Sequence, residues 1–225
     1  LRTKLPWYLS ATTQESSNWF LFSASTTHTH TMPATDLHIK TARLSLRELP
    51  PNSHLVHATN CLATWGSGFA AELAAIFPEA CKIYKEFCHA AKRSPSDRWP
   101  PRSLTGQCLV IAPQQADIAR GAPSVHIVCL FTSWGYGTSN RRTGKPGKDT
   151  ADRIVEQTRT SLQKFRTRMD EAAAADGRDV FIYSPMFNSG KFRVPWDRTL
   201  EVIEEEFAGA KATWTVVLQS AQRSK

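Results

Sequence analysis

No apolar run in the sequence is long enough to span a bilayer, so no helical membrane anchor is expected and the chain reads as soluble. CxxC pairs are also missing, and the cysteines are odd in number: Cys61, Cys81, Cys88, Cys108 and Cys129. They lie mostly within apolar runs, so they predict reduced core residues of an intracellular protein, cytoplasmic or nuclear, with neither a disulfide framework nor a zinc site. Cys81 and Cys88, two helical turns apart, are expected to share a buried face. No DxD, no HxH within the patterned part and no close His/Asp set occurs, so neither a metal nor another cofactor is expected. A basic stripe interleaved with aromatics is lacking too, which argues against a nucleic-acid partner. The chain is nevertheless basic, with net charge +8 and pI about 9.4. Its cations are dispersed apart from Arg141, Arg142, Lys145 and Lys148, and such a surplus also suits a small polyanionic ligand.

With 225 residues, 41% of them hydrophobic, the chain can bury a sizeable core and suits one domain plus a tail, expected as a monomer. The first 31 residues differ: they are rich in Ser and Thr, hold one acid (Glu15), and surround His28 and His30 with threonines. Three readings compete: an acid-poor targeting presequence, a disordered extension, or translated sequence upstream of a start at Met32. The disordered or non-native reading is preferred, giving an extension over 1–35, one domain over 36–220 and a tail over 221–225. The two histidines reflect low complexity rather than a metal site.

Two segments carry the chemistry. In His54 to Phe69 an apolar strand ends in a polar pair, His57 and Asn60, and the glycine-punctuated turn Trp65-Gly66-Ser67-Gly68-Phe69 opens into a helix. The first N–H groups of a helix lack intrahelical acceptors and carry the positive end of its dipole, so this site favours an anion. In Ser184 to Trp196 a short β-prone run leads into Asn188-Ser189-Gly190, which tolerates tight or left-handed backbone, followed by Lys191, Phe192, Arg193 and Val194. Taken alone, each segment also reads as an ordinary strand-to-helix loop. Together, two glycine-bearing loops at strand C-termini are the arrangement in which open α/β sheets hold phosphorylated ligands.

The remaining pattern is alternating. Strands are expected at Leu37–Leu46, His54–Asn60, Gln107–Ala112, Val125–Thr132, Val180–Tyr183 and Thr213–Gln219. The apolar runs 107–112 and 125–132 look like central strands covered on both faces. Leu73, Phe77, Ala80, Tyr84 and Phe87 mark one helix face interrupted by Pro78, which predicts two helical pieces or a kink. A long helix over 150–175 should turn Ile154, Thr158, Leu162, Phe165 and Met169 inward, and another should cover Asp197–Phe207. Residues 92–105 and 138–148 read as surface loops. Six strands alternating with helices predict an α/β fold, a three-layer α/β/α sandwich with a mixed central sheet.

Four motifs, in order and suitably spaced over about residues 37–219, carry a resemblance. They are His57 to Phe69; Phe77-Pro78-Glu79-Ala80 with Tyr84; Cys129-Leu130-Phe131-Thr132-Ser133; and Asn188 to Trp196. The sequence resembles the macrodomain branch of fungal ADP-ribose 1''-phosphate phosphatases, α/β/α folds that hold ADP-ribose at the strand ends. The resemblance implies that Asn60 bonds the distal ribose hydroxyls and that Trp65 and Gly66 to Phe69 line one wall. It implies that Ser189 to Val194, after Asn188, cradle the diphosphate through backbone N–H groups, with Ser133 a further pocket residue. His57 is the expected proton donor in phosphoryl transfer, against an equal alternative as a hydrogen-bonded core histidine.

Three departures accompany the resemblance. Leu44-Ser45 stands where many macrodomains carry a Gly-Asp pair whose carboxylate reads adenine, and Arg193 stands where the family usually has glycine. Ser133 and Phe192 occupy the places of the lysine and aspartate with which a related branch removes ADP-ribose from protein glutamates, so that chemistry is not supported. The activity implied is conversion of ADP-ribose 1''-phosphate to ADP-ribose and phosphate, a by-product clearance step of tRNA splicing. A reader of ADP-ribose with little turnover and a hydrolase of ADP-ribosyl conjugates are the alternatives.

Overall fold

The structure, a computed structural model, describes residues 37–176 and 180–218. The expected extension, its two histidines and the tail at 221–225 lie outside the described residues. Among those described, no helix is long and apolar enough to cross a membrane.

Alternation of side chains builds the central layer. In β2 (His54–Asn60) Leu55 and His57 face one side and Val56 the other, and β4 (His126–Ser133) repeats this with Ile127, Cys129 and Phe131 against Val128 and Leu130. With β1 (Leu37–Ala42), β3 (Cys108–Ile111), β5 (Val180–Ser184) and β6 (Ala212–Val217) they form a sheet of order β1-β6-β5-β2-β4-β3. Neighbours are parallel except β3 with β4. The other five strands therefore end at one edge of the sheet, where their following loops gather.

Helices α1 (Gly68–Ile76) and α2 (Pro78–Ala90) enclose the core on one face with Leu73, Cys81, Tyr84 and Cys88. On the other face lie α4 (Ala151–Asp176) and α5 (Trp196–Glu206) with Leu162, Phe165, Val202 and Ile203. All five inward residues expected of the long helix are buried. Pro78 breaks the first helical face in two: it takes the first position of α2, where a missing N–H costs nothing. Asp117 accepts the N–H groups of Glu79 (3.0 Å) and Ala80 (3.1 Å), capping α2 from the short helix α3 (Gln115–Ala119).

Three expectations change. The stretch over 107–112 is an antiparallel edge strand rather than a central one. Its side chains pack into both cores, so the apolar run hid its edge position. The first strand stops at Ala42, because Ser45 and Glu48 form a reciprocal capping box that starts a short 3-10 turn at Leu46. The short helix α3 was not foreseen, since five residues give no periodic signal.

Candidate functional site

The loop after β2 is folded by two side chains. Asn60 donates from Nδ2 to the Thr64 carbonyl (2.7 Å) and accepts the Leu62 N–H at Oδ1 (2.8 Å). The Tyr84 hydroxyl donates to the Asn60 carbonyl (2.7 Å) and accepts the Thr64 N–H (3.2 Å). Trp65 stacks on Tyr84 at 4.9 Å and donates from Nε1 to Thr59 Oγ1 (3.2 Å), so its indole is a buried prop of the loop. Gly66, Ser67, Gly68 and Phe69 then face an open cleft, with Gly68 in the left-handed region (φ 56°) and no side-chain cap from Ser67 on the α1 amides.

The loop after β5 turns the other way round: its side chains anchor and its backbone faces out. Asn188, 4% exposed and at φ 65°, accepts from Thr132 Oγ1 (2.9 Å) and donates to Thr158 Oγ1 (2.9 Å). That amide therefore joins β4 and α4 to the loop. Phe192 packs on Ile154 and Val194. Among the described residues, no protein acceptor pairs with the backbone N–H groups of Gly190, Lys191 and Phe192.

Both loops converge on one cleft of about 1210 Å³, although more than a hundred residues of chain lie between them. Among the described residues, its charged lining residues are Lys148, Lys191 and Arg193, beside the buried His57, and none is a carboxylate. This volume exceeds the roughly 300–1,000 Å³ of common small-molecule pockets and suits an extended ligand. Asn60, Ser67, Ser189 and Gly190 all line this cleft.

A third wall was missed. Tyr136, Gly137, Thr138 and Lys148 come from the loop between β4 and α4, and Val217 and Leu218 from the end of β6. The sequence showed residues 138–148 only as a basic surface loop. A usable signal lay in its glycines: a Cβ on Gly135 would sit 2.3 Å from the Pro146 carbonyl oxygen, and one on Gly147 would sit 2.8 Å from the Ser139 nitrogen. Glycine is required where backbones approach so closely.

Four site expectations are corrected. The Trp65 side chain packs in the core and does not line the cleft. Val194 closes the second loop by donating its N–H to the Asn188 carbonyl (3.0 Å) and is likewise buried behind it. Ser133 is fully buried, its Oγ accepting the Asp149 N–H (2.9 Å). His57 touches the cleft but is 1% exposed, meets Trp65 edge-on at 4.8 Å, and places Nε2 3.6 Å from the Cys129 thiol. Burial lowers its pKa to about 3, so its imidazole is neutral near neutral pH, which favours the core-histidine alternative over an imidazolium proton donor, although its buried Nδ1 has no hydrogen-bond partner among the described residues. Ser45, at the place of the adenine-reading carboxylate, caps the 3-10 turn and lies outside the cleft lining.

No protein-family model matches the chain. Curated relatives named ADP-ribose 1''-phosphate phosphatase do: one from Meyerozyma guilliermondii is 33% identical, covering 68% of this chain and 84% of its own. One from Aspergillus oryzae is 31% identical, covering 76% and 90%. The chain belongs to the ADP-ribose 1''-phosphate phosphatase family. Among solved structures, the macrodomain of Thermus aquaticus DarG superposes with a TM-score of 0.53 at 18% identity, covering 81% of this chain and 99% of that one. The fold is thus that of a macrodomain.

Two consequences can be measured. Arg193 adopts φ 57°, a left-handed conformation that costs a side-chain-bearing residue about 1–2 kcal/mol. Against the extra freedom glycine gives the unfolded chain, Arg193→Gly is expected to stabilise this member of the family by about 0.5–1 kcal/mol. It should also weaken anion binding by removing a cation from the cleft. Urea titration and calorimetry read the two effects, and a destabilised Arg193→Gly protein would contradict the conformational argument.

The second consequence concerns pH. The His57 pKa falls from 6.5 unfolded to about 3 folded, and His54 falls to about 4 through burial and the neighbouring His126. Between these values the unfolded chain binds protons that the folded chain refuses, so stability falls as pH drops below about 6.5. The slope should approach about 1.4 kcal/mol per pH unit for each fully buried imidazole. Urea midpoints at pH 7, 6 and 5 test this, and a flat profile would refute it.

Proposed function

We propose that this protein hydrolyses ADP-ribose 1''-phosphate to ADP-ribose and inorganic phosphate, acting as a monomer on a soluble small molecule in the cytoplasm or nucleus. The observation that carries this reading is the convergence of the Gly66–Phe69 and Ser189–Arg193 loops on one cleft that is lined by cations and, among the described residues, by no carboxylate. Membership of the phosphatase family supports it, and the reaction would then be the by-product clearance step of tRNA splicing that the family resemblance implies. Water attacks the phosphorus, a new P–O bond forms, and the bond from phosphorus to the 1'' oxygen breaks. The leaving oxygen takes its proton from water, because His57 is neutral and buried. Rate acceleration then comes from holding the substrate: the N–H groups of Gly190, Lys191 and Phe192, which have no protein acceptor among the described residues, hold the diphosphate, and the cleft cations meet the charge that gathers on the reacting phosphate.

A second reading, a binder of ADP-ribose with little turnover, is favoured by one observation: among the described residues the cleft pairs no nucleophile with a base. Calorimetry with ADP-ribose followed by phosphate release from the 1''-phosphate separates the two. Saturable binding with stoichiometric phosphate release supports the phosphatase. Binding without release supports the reader, and absence of both overturns the site.

A further inference from the structure

The cations around the cleft are not equivalent. Arg102 is committed to Asp149 (2.6 Å) and to the Trp134 ring (5.0 Å). Lys145 is committed to the Tyr136 carbonyl (2.7 Å), the Pro146 carbonyl (3.1 Å) and the Tyr136 ring. Lys191 and Arg193 are exposed on the rim. Lys148 differs from all four. It is half-buried, lines the cleft, and donates one hydrogen bond to the Phe192 carbonyl (3.1 Å), so two ammonium donors remain for a ligand.

Its position is fixed on both sides. The Lys148 N–H donates to the Gly137 carbonyl (2.9 Å), Gly147 packs against the Ser139 backbone, and Asp149 is held by Trp134, Ser133 and Arg102. Across the cleft, the same ammonium grips the loop whose N–H groups at 190–192 have no protein acceptor among the described residues. The two kinds of donor suit different phosphates. A diphosphate carries one charge on each phosphorus and matches a row of neutral N–H groups. A phosphomonoester concentrates close to two negative charges on one phosphorus at neutral pH and gains most from a compact, partly desolvated ammonium.

We propose that Lys148 is a specificity-determining residue: its ammonium binds the terminal monophosphate of the substrate while holding the Phe192 carbonyl, selecting the phosphomonoester over dephosphorylated ADP-ribose. The assignment rests on the substrate class proposed above. It gives the reaction a direction of exit, because hydrolysis removes the charge that Lys148 holds and the remaining ADP-ribose is gripped only through its diphosphate.

Three variants separate charge from clasp. Lys148→Arg keeps the charge, Lys148→Gln keeps a donor for the Phe192 carbonyl without charge, and Lys148→Met keeps neither. For each, KM and kcat are measured for ADP-ribose 1''-phosphate by phosphate release (its Kd is used where no phosphate is released). Kd for ADP-ribose and the melting temperature are measured on the same preparation. Lys148→Gln and Lys148→Met should raise KM for the 1''-phosphate about tenfold or more while Kd for ADP-ribose changes less than about twofold, and Lys148→Arg should retain the discrimination. An unchanged ratio between the two ligands in folded Lys148→Gln protein overturns the assignment. So does a Lys148→Met effect on both ligands alike that Lys148→Gln restores, which would make Lys148 a structural clasp. Wild-type protein that binds ADP-ribose but not its 1''-phosphate removes the substrate class and Lys148's role together. Wild-type protein that binds both without release leaves the ligand ratio as the test of Lys148 and removes the phosphatase reading alone.

Discussion

Asp149→Ala should destabilise the protein by about 2–3 kcal/mol and loosen one wall of the cleft. The carboxylate is buried, accepts the Trp134 N–H (2.8 Å), and pairs with Arg102. Burial alone would raise its pKa, but the Trp134 N–H and the Arg102 guanidinium outweigh that and hold it below the usual carboxylate range. Removing it leaves a backbone donor and a guanidinium without their partner at the junction of β4 and α4. The melting temperature should drop roughly 4–12 °C for a chain of this size. The same logic fixes the sign with pH: this contribution is present above the ordinary carboxylate pKa and is lost as pH falls through the lowered folded value. An Asp149→Ala protein within about 0.5 kcal/mol of wild type would show that the ion pair and the Trp134 hydrogen bond do not hold the loop.

The second large effect is expected at Gly135. Its Cβ would lie 2.3 Å from the Pro146 carbonyl oxygen and 2.5 Å from that of Gly147, contacts that backbone alone must relieve. Gly135→Ala should therefore cost about 2–3 kcal/mol as an overpacked site. Affinity for ADP-ribose should fall with it, because Tyr136 and Lys148 hang on the displaced strands of this loop. Gly190→Ala provides the contrast: no atom lies within 4 Å of its Cβ position, so stability should stay within about 0.5 kcal/mol of wild type. Equal melting temperatures for Gly135→Ala and wild type would mean that the loop yields without cost.

Much of the fold was legible because its signals are local. The period of Ile154, Thr158, Leu162, Phe165 and Met169 marked the long helix, and the apolar alternation of 54–60 marked β2. Proline at 78 marked a break that the backbone takes in full. The two glycine loops were legible as strand-to-helix loops because a strand, a turn and a helix start follow one another in the chain. Long-range geometry was not legible. Asn60 reads from its type as a ligand for hydroxyls, yet the fold uses its amide to close the Asn60–Thr64 turn. His57 reads as a titrating group until Trp65 and Cys129 enclose it. Lys148 was one of four cations in a basic run, and only the approach of Phe192 from the loop after β5 distinguishes it.

A cleft with no lining carboxylate among the described residues also has a kinetic consequence. Buffer phosphate and sulfate are expected to compete there with the proposed substrate, and phosphate is also the proposed product. On that proposal, rates measured late in a reaction would describe partly occupied protein. The exposed Lys191 and Arg193 make capture sensitive to ionic strength, with a Debye length near 10 Å at 0.1 M salt screening the rim more than the half-buried Lys148. Salt is then a dial that separates encounter from retention: it slows arrival at the rim and leaves the grip inside largely intact.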